Sequence, residues 1–466
     1  MYKRSQLELM NKLVFIIGGA VTSLGFAPYN LWIAPFIGLG IWYSCLTKFS
    51  LSTNLLGSYF FGLALLLPTQ NWTGVYVGNI PWLILCSTQA LLFLVPPILV
   101  SKKEKFRGVA FASSFAVVEL LLRTIPFTGF GWSRIGFTQY SGPLNMLYPL
   151  GGVALVSFTI AYLITIRKIS ALLSTALIFT LVALFPIQLD HKSNLNVALI
   201  QGGVKELGLG FNSTPKEVFQ RHLDLTKTLN SKFDLVIWPE NSVDIDINMH
   251  KDVREQIISE SKRLSAPILV GGVTNSTLGL QNQSMLFNPR LTQIYTKRYL
   301  TPFGEYIPAR SIAEAVSPYA KEVRDFKGGT KEVIFGIKNA TFNTLICYEI
   351  LDDRLISEIS SNFVVVQTNN ATFGDTQQLE QQLNIARVRS LELSRPIAYV
   401  STTGITSFID SQGRIDKAVD KFDTHALTGS IQLVEGQTLA QRFSKYIEPF
   451  SLFLLFLIVV KRVRKS

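Results

Sequence analysis

The sequence has little charge and few of the residues that bind metals or nucleotides. Charged residues make up 16% of its 466 residues, against ~25% in typical soluble domains. The glycine pairs at 202–203 and 271–272 are too short for a dinucleotide fingerprint, and no phosphate-binding loop is present. The histidines stand alone, without metal-binding spacing: His191, His222, His250 and His425. We therefore expect neither a cofactor nor a metal.

Cysteine is also scarce, with three residues in the chain. Cys45 and Cys86 lie in apolar stretches, where a cysteine usually packs as a small hydrophobic side chain. Only Cys347 lies in a polar part of the chain, so a disulfide framework has no second partner there. We expect Cys347 to be a free thiol.

Long apolar runs, in contrast, are frequent near both ends of the chain. A helix of ~17–25 apolar residues spans the hydrocarbon core of a bilayer. The first run has the core of a signal peptide, but no small-residue cleavage site follows Ala27 and further spans come after it. The sequence predicts eight transmembrane helices, at 11–27, 31–47, 51–70, 81–101, 108–125, 147–166, 168–189 and 446–460.

Basic residues predict the orientation of these helices. They are concentrated before the first span, in alternate loops and after the last span, as in the loop at 102–107. Cytoplasmic loops carry such an excess of Lys and Arg, so we expect both termini in the cytoplasm of a multi-pass cell (plasma or inner) membrane protein. The net charge of +12 is explained by the basic residues of these predicted cytoplasmic loops. We therefore expect no nucleic-acid partner.

The segment between the apolar regions alternates strand-like and helix-like stretches. Helical spacing occurs at 214–231, 251–264 and 377–394. Near-continuous apolar strands, typical of sheets covered on both faces, are predicted at 196–203, 233–240, 266–273, 283–289, 342–350, 362–370 and 398–410. We predict a transmembrane domain at 1–190 with seven helices, an extracytoplasmic α/β domain at 191–440, and a final helix with a basic tail at 441–466.

Three polar residues near predicted strand ends suggest a catalytic site. Active residues of layered sheets gather beyond the carboxyl ends of the strands. A thiol has a pKa of ~8.5 and needs a base or a cation to become a nucleophile. Without a nearby histidine, Glu240 is the candidate base, Lys297 the candidate cation and Cys347 the candidate nucleophile. Each also has a simpler interpretation, as an inert core cysteine or as solvated surface charges.

The order of these residues carries a resemblance. WPE at 238–240, YTKRYLTPFGEYIP at 295–308 and CYE at 347–349 together resemble the nitrilase superfamily, or carbon-nitrogen hydrolases. With the membrane region, the chain resembles the apolipoprotein N-acyltransferase family in particular. NNATFGD at 369–375 matches this family except at Thr372, where better-known members have tryptophan.

The resemblance implies an α-β-β-α sandwich and a Glu–Lys–Cys triad. Glu240 matches the general base, Lys297 the residue that stabilises the oxyanion and Cys347 the nucleophile. Four supporting residues are implied: Glu305 as a second carboxylate that orients the lysine, Tyr348 as a backbone oxyanion donor, Glu349, and Asn282 near the lysine strand.

The implied reaction is a ping-pong acyl transfer without cofactor. Cys347 takes an acyl chain from a membrane phospholipid as a thioester, and the N-terminal amine of an S-diacylglyceryl cysteine on an apolipoprotein then receives it. Two alternatives stay open at this point. One is a membrane-anchored nitrilase-type amidase that uses water, and the other is a non-catalytic membrane binding or transport protein.

Overall fold

The structure, a computed structural model, describes residues 2–75, 78–100, 106–168, 177, 180, 184, 189–208, 210–316, 318–321 and 323–464. Contacts between residues divide the chain into two units. The helical unit contains Met1–Gln188 and Leu439–Ser466, and the sheet unit contains Leu189–Thr438.

The amino-terminal part of the helical unit consists of successive apolar helices, with a longer loop at 123–147 before the last of them. These helices are α1 (Tyr2–Ser23), α2 (Ala34–Lys48), α3 (Leu51–Thr69), α4 (Asn79–Ala90), α5 (Val95–Leu99), α6 (Arg107–Leu122) and α7 (Tyr148–Leu163). Buried polar residues of this unit form hydrogen bonds between helices. The Trp42 indole N–H on α2, for example, donates to the Ser58 hydroxyl on α3 at 2.9 Å. Such pairing satisfies buried polar groups that no water reaches.

The sheet unit contains two six-stranded sheets. The strands are β1 (Asp190–Gln201), β2 (Leu235–Ile237), β3 (Ile268–Ser276), β4 (Gly279–Phe287), β5 (Leu291–Thr296), β6 (Ile334–Ile337), β7 (Ala340–Ile346), β8 (Phe363–Thr368), β9 (Ile397–Ser401), β10 (Ser407–Ile409), β11 (Ile415–Ala418) and β12 (His425–Glu435). Their orders are β12-β1-β2-β3-β4-β5 and β11-β10-β9-β8-β7-β6. In each sheet three central strands are parallel, β1-β2-β3 in the first and β7-β8-β9 in the second, and the flanking strands are antiparallel.

The two sheets pack face to face around one apolar core. Leu199 and Ile237 from the first sheet share this core with Phe342 and Val365 from the second. Helices of this unit are α8 (Glu217–Lys227), α9 (Lys251–Leu264), α10 (Arg310–Val316), α11 (Asp353–Glu358) and α12 (Gln378–Leu393). Helices α8 and α9 cover the outer face of the first sheet, and α12 contacts β9 of the second. The predicted α/β class is confirmed.

Two predicted strands end earlier than expected. The stretch 398–410 forms two antiparallel strands, β9 and β10, because Gly404 lies in a turn where its N–H donates to the Ser401 hydroxyl at 2.7 Å. The strand predicted at 342–350 ends at Ile346, and Cys347 begins a single helical turn. The prediction missed β5, β6, β11 and β12, which flank the central strands.

The chain returns to the helical unit through α13 (Leu439–Phe443) and α14 (Ile447–Val463). Within the described residues, four helical stretches are long and apolar enough to cross a membrane: Leu51–Thr69, Asn79–Leu99, Asn145–Leu163 and Leu439–Val463. Helices α2 and α6, on predicted spans, have 15 and 16 residues. The predicted span at 168–189 falls mostly outside the described residues. The total of eight spans stays a prediction.

A buried ionic cluster joins α6 to α14. Glu119 on α6 accepts a hydrogen bond from the Ile135 N–H at 2.7 Å, and its other oxygen lies 3.6 Å from Arg134 Nε. Glu448 on α14 pairs with Arg123 and lies 3.8 Å from Arg134 Nη2. Burying a charge in an apolar unit is costly unless it is paired, so these contacts hold the loop after α6 against the last helix.

We predict that Phe342→Ala strongly destabilises the sheet unit. The Phe342 ring is fully buried between Phe335 and Phe363, with centroids 4.9 and 5.2 Å away. Removing it leaves a cavity between the sheets that should cost about 3–5 kcal/mol. Thermal denaturation of the purified chain measures the loss. Ile334→Ala, on the adjacent β6 with a side chain 41% exposed, is the control and should change the midpoint little. Equal midpoints for the two variants would contradict this packing.

Candidate active site

Glu240, Lys297 and Cys347 each lie just after a strand. Glu240 follows β2 after Trp238 and Pro239, Lys297 is the first residue after β5, and Cys347 is the first residue after β7. The first two strands belong to one sheet and β7 to the other. Residues at strand ends have side chains free to reach the sheet edge, while the strands fix their backbones.

Lys297 is buried beside two carboxylates. Its Nζ lies 2.8 Å from Glu305 Oε2 and 3.8 Å from Glu240 Oε1, and the Lys297 side chain is 1% exposed. Its ammonium also donates to the Thr301 hydroxyl at 3.2 Å. Burial by itself lowers the pKa of Lys297, but Glu305 and Glu240 outweigh it, and the net pKa is raised. The lysine is therefore a permanent cation in the site.

Asn282, on β4, joins the two carboxylates. Its Nδ2 donates to Glu240 Oε1 and to Glu305 Oε1, both at 2.8 Å. The other Glu240 oxygen accepts the Asn369 N–H at 2.8 Å. Burial raises the pKa of Glu240; the nearby Lys297 opposes this rise and Glu305 adds to it. Glu240 is thus a fixed carboxyl that holds a proton more readily than a solvated glutamate.

Cys347 has a backbone conformation that side chains rarely adopt. Its φ of +50° lies in the left-handed region, and the residue is half-buried. Its sulfur lies 3.5 Å from both Thr368 Oγ1 and Gln382 Nε2. Burial and the charge of Glu240 raise the pKa of the Cys347 thiol to about 12, although Lys297 lowers it. The resting thiol is therefore protonated, and its proton has to leave as it reacts.

Glu349 fixes the backbone on both sides of the site. This fully buried carboxylate accepts the Ile346 N–H at 2.8 Å, just before Cys347. It also accepts the Arg298 N–H at 2.6 Å and the Tyr295 hydroxyl at 2.8 Å, on the segment that carries Lys297. Burial raises the pKa of Glu349 to about 7.

Tyr348 contributes a second contact between the same two segments. Its ring stacks on that of Tyr299, with centroids 5.5 Å apart and planes 8° apart. The Tyr348 side chain is buried, and Tyr348 is the second residue of the turn that begins at Cys347. Its role as an oxyanion donor stays a prediction.

The structure thus brings the residues predicted from sequence into one buried region. Glu240, Asn282, Glu305 and Lys297 are linked by direct hydrogen bonds or ion pairs, and Glu349 ties Cys347 to the lysine segment. Sequence reasoning missed the three residues that contact Cys347 or Glu240 from the second sheet and α12: Thr368, Asn369 and Gln382. The polar run TNN at the end of the apolar β8 was the available signal.

Within the described residues, no group of three or more His, Cys, Asp or Glu side chains is arranged to hold a metal ion. The chemistry available from the side chains themselves is that of a thiol, a carboxyl base and a cation.

Comparisons with known proteins cover nearly the whole chain. The carbon-nitrogen hydrolase family matches residues 196–441, and the apolipoprotein N-acyltransferase N-terminal domain matches residues 18–166. An apolipoprotein N-acyltransferase of Haemophilus ducreyi is 26% identical over 92% of this chain and 92% of its own. That of Mycolicibacterium smegmatis is 28% identical over 92% of this chain and 81% of its own.

Two solved structures align with somewhat more than half of the chain. A CN-hydrolase superfamily protein from Xanthomonas campestris aligns over 56% of this chain and 97% of its own, with 17% identity and a TM-score of 0.40. An amidase from Nesterenkonia aligns over 57% of this chain and 100% of its own, with 12% identity and a TM-score of 0.40.

We predict that Gly271→Ala disturbs the backbone that carries Glu240. Gly271 lies on β3, where an added Cβ would be 2.4 Å from the Pro239 carbonyl oxygen and 2.7 Å from Glu240 Cα. Such overlap with backbone should destabilise the sheet unit by about 1–3 kcal/mol. The control is Gly336→Ala on β6, where nothing lies within 4 Å of the new Cβ. Thermal denaturation compares the two variants, and a Gly271→Ala midpoint at or above that of Gly336→Ala would contradict the close approach.

Proposed function

Because the chain belongs to the carbon-nitrogen hydrolases, and within them to the apolipoprotein N-acyltransferases, we propose that it acylates the N-terminal amine of lipoproteins. The observation that carries this function is the match over both units: relatives of that name align with 92% of the chain, and a family model for their N-terminal domain matches residues 18–166. The predicted family and enzyme class are confirmed.

The acyl donor in this proposal is a membrane phospholipid. Both substrates carry acyl chains, and each buried CH₂ contributes ~0.8 kcal/mol, so extracting a chain of about sixteen carbons costs on the order of 10 kcal/mol. An enzyme that is itself embedded in the bilayer avoids this extraction. The positive-inside pattern supports an arrangement with both termini in the cytoplasm and the sheet unit on the other side, where exported lipoproteins are found.

In the first step, the Cys347 sulfur attacks the ester carbonyl of the phospholipid. Glu240 accepts the thiol proton as the S–C bond forms, and Lys297 stabilises the negative charge on the carbonyl oxygen. The C–O bond of the ester then breaks, and Glu240 returns the proton to the departing alkoxide. The products are a lysophospholipid and an acyl thioester on Cys347.

In the second step, the N-terminal amine of an S-diacylglyceryl cysteine attacks the thioester carbonyl. The C–N bond forms, the C–S bond breaks, and the electron pair of that bond stays on the Cys347 sulfur. The proton lost by the amine passes through Glu240 to the thiolate, which restores the thiol. The triacylated lipoprotein leaves, and the enzyme returns to its starting state.

The electrostatics of the site support these roles. The raised pKa of Glu240 makes it a stronger base than a solvated glutamate. The difference between its pKa and that of the Cys347 thiol is therefore smaller, which favours proton transfer. Lys297 keeps its charge because Glu305 remains beside it at 2.8 Å. Glu305 therefore orients the cation, while Glu240 is available for the proton transfer.

The central test is substitution of the three proposed catalytic residues. We expect Cys347→Ala and Lys297→Ala to abolish acyl transfer, and Glu240→Gln to fold normally yet form no thioester. Intact-mass analysis of a lipoprotein co-expressed with each variant measures the added acyl chain. Peptide mass spectrometry of the enzyme should locate an acyl adduct on Cys347.

The other cysteines provide matched controls for this test. Cys45→Ala and Cys86→Ala remove buried thiols of the helical unit, so both variants should still acylate the lipoprotein. A Cys347→Ala variant that adds the acyl chain normally would refute the mechanism. Release of free fatty acid or ammonia in place of acylated lipoprotein would favour an amidase-like hydrolase.

A pH profile tests the role of Asn282. Asn282→Leu removes the N–H groups that stabilise the Glu240 carboxylate, so the pKa of Glu240 should rise further. Since the base works in its ionised form, activity falls as pH drops through this pKa. The acidic limb of the rate of acyl-enzyme formation should therefore move to higher pH in the variant.

The neighbouring Gln283 offers a control on the same strand. Consecutive β-strand residues face opposite sides, and Gln283 bonds instead with Thr274 and Thr296. Gln283→Leu should leave the acidic limb where it is in the unsubstituted enzyme. An Asn282→Leu profile that coincides with that of Gln283→Leu would show that Asn282 does not set the basicity of Glu240.

A further inference from the structure

Two buried side chains outside the Glu–Lys–Cys set contact the Cys347 sulfur. Gln382 on α12 places Nε2 at 3.5 Å from the sulfur, and Thr368 at the end of β8 places Oγ1 at the same distance. Gln382 and Thr368 are both fully buried. These distances fit hydrogen bonds to sulfur, which is larger than oxygen, so the thiol lies between two potential donors.

The surroundings of Gln382 determine which end of its amide faces the sulfur. Its Oε1 lies within hydrogen-bond distance of four groups that can donate: Thr368 Oγ1 at 3.0 Å, Asn370 Nδ2 at 2.8 Å, Gln378 Nε2 at 3.2 Å and Tyr399 Oη at 3.2 Å. An amide NH₂ turned toward these groups could still donate to the two hydroxyls, but it would face the NH₂ donors of Asn370 and Gln378 without an acceptor for either. The oxygen therefore faces the cluster, and the NH₂ group faces Cys347.

Thr368 is a donor with two possible acceptors. Its hydroxyl has one hydrogen, while both the Cys347 sulfur and Gln382 Oε1 lie within reach. When the hydrogen turns to the sulfur, Gln382 Oε1 keeps three other donors, which is more than its two lone pairs require. The Thr368 hydroxyl can thus turn its hydrogen to the sulfur when the sulfur becomes negatively charged, and no buried acceptor is left unpaired.

We propose that Gln382 and Thr368 are catalytic residues that donate hydrogen bonds to the Cys347 sulfur and stabilise it as a thiolate in both steps of the reaction. The inference rests on the proposed role of Cys347 as the nucleophile. In the first step the S–H bond breaks and the proton goes to Glu240 while the S–C bond forms. In the second step the C–S bond breaks, and the two donors receive the electron pair that stays on the sulfur.

This role differs from that of Lys297, which serves the carbonyl oxygen. The tetrahedral intermediate carries its charge on that oxygen, but the attack that precedes it and the collapse that follows both place charge on the sulfur. Burial and Glu240 raise the pKa of Cys347, and hydrogen bonds from Thr368 and Gln382 act in the opposite direction. Without them, a buried thiolate beside a carboxylate would have only the lysine to offset its cost.

The test compares variants that keep side-chain size but lose the donor. Gln382→Met and Thr368→Val remove one donor each, and Thr368→Ser keeps the hydroxyl. The rate of Cys347 alkylation by iodoacetamide, followed by peptide mass spectrometry on the full-length chain in detergent, reports the thiolate as a function of pH. We expect the alkylation profile of the two donor-less variants to move about one pH unit higher, since a hydrogen bond to a charged group is worth about tenfold.

The same variants should lower kcat for acyl transfer about tenfold without changing KM, because the lost bonds act on the sulfur and not on the bound lipids. Thr368→Ser should restore both the profile and kcat. Gln381→Met is the matched control: it removes a buried amide from the adjacent position of the same helix, about 100° around the axis. Its alkylation profile should match that of the unsubstituted enzyme.

The outcomes separate this inference from the proposed function. If Gln382→Met and Thr368→Val leave the alkylation profile unchanged while Cys347→Ala is inactive, the donors are not catalytic and the acyltransferase mechanism stands. If Gln381→Met shifts the profile as far as Gln382→Met, the effect comes from the polarity of the helix and the inference is wrong. If Cys347→Ala still acylates lipoproteins, the proposed mechanism itself fails. Thr368→Val and Thr368→Ser decide the question even where Gln382→Met does not fold.

Discussion

The site depends on one buried cation, the ammonium of Lys297, held between the carboxylates of Glu305 and Glu240. A charge in the protein interior costs several kcal/mol unless it is paired and hydrogen-bonded. Here the ammonium lies beside two carboxylates, and the side-chain amide of Asn282 donates a hydrogen bond to each of them. The two carboxylates keep Lys297 charged, and burial raises the pKa of Glu240 although Lys297 and Asn282 oppose the rise.

The backbone around Cys347 and Lys297 is positioned by a different residue, Glu349. Cys347 adopts a left-handed conformation that a side chain tolerates only where the surroundings enforce it. Glu349 supplies this constraint, because it accepts N–H groups from the residue before Cys347 and from the segment after Lys297. The segments that carry Cys347 and Lys297 are therefore held by one carboxylate that takes no direct part in the proposed chemistry.

The two sheets contribute different parts of the site. Glu240, Asn282 and Lys297 come from β2, β4 and β5 of one sheet, and Cys347 and Thr368 come from β7 and β8 of the other. The Asn369 N–H crosses between them to bond Glu240. Facing sheets thus allow the proton acceptor and the sulfur to be built on separate rigid supports, while the helical unit suits a reaction whose substrates stay in a bilayer.

Local sequence was sufficient for some of these features. Continuous apolar stretches such as 362–370 indicated strands covered on both faces, and the ordered motifs around Glu240, Lys297 and Cys347 indicated the family, because each of these signals is contained in a short stretch of the chain. Strand ends were harder to predict: 342–350 is mostly apolar around Cys347, yet the strand ends at Ile346, whose N–H donates to the Glu349 carboxylate three residues later. The flanking strand β11 was missed because it has four residues, all of them exposed, and β12 was missed because polar exposed residues interrupt its apolar ones.

Only the tertiary structure decided the contacts made across the fold. Asn282 was expected near the lysine, but its bridge between two carboxylates depends on β4 lying beside β5. Gln382 belongs to no motif, and Thr368 is marked only by the polar run TNN; both reach the sulfur because α12 packs on the second sheet and β8 pairs with β7. Hydrophobic periodicity specifies which face of an element is buried, whereas the partner that a buried polar group meets there is set by how the elements pack.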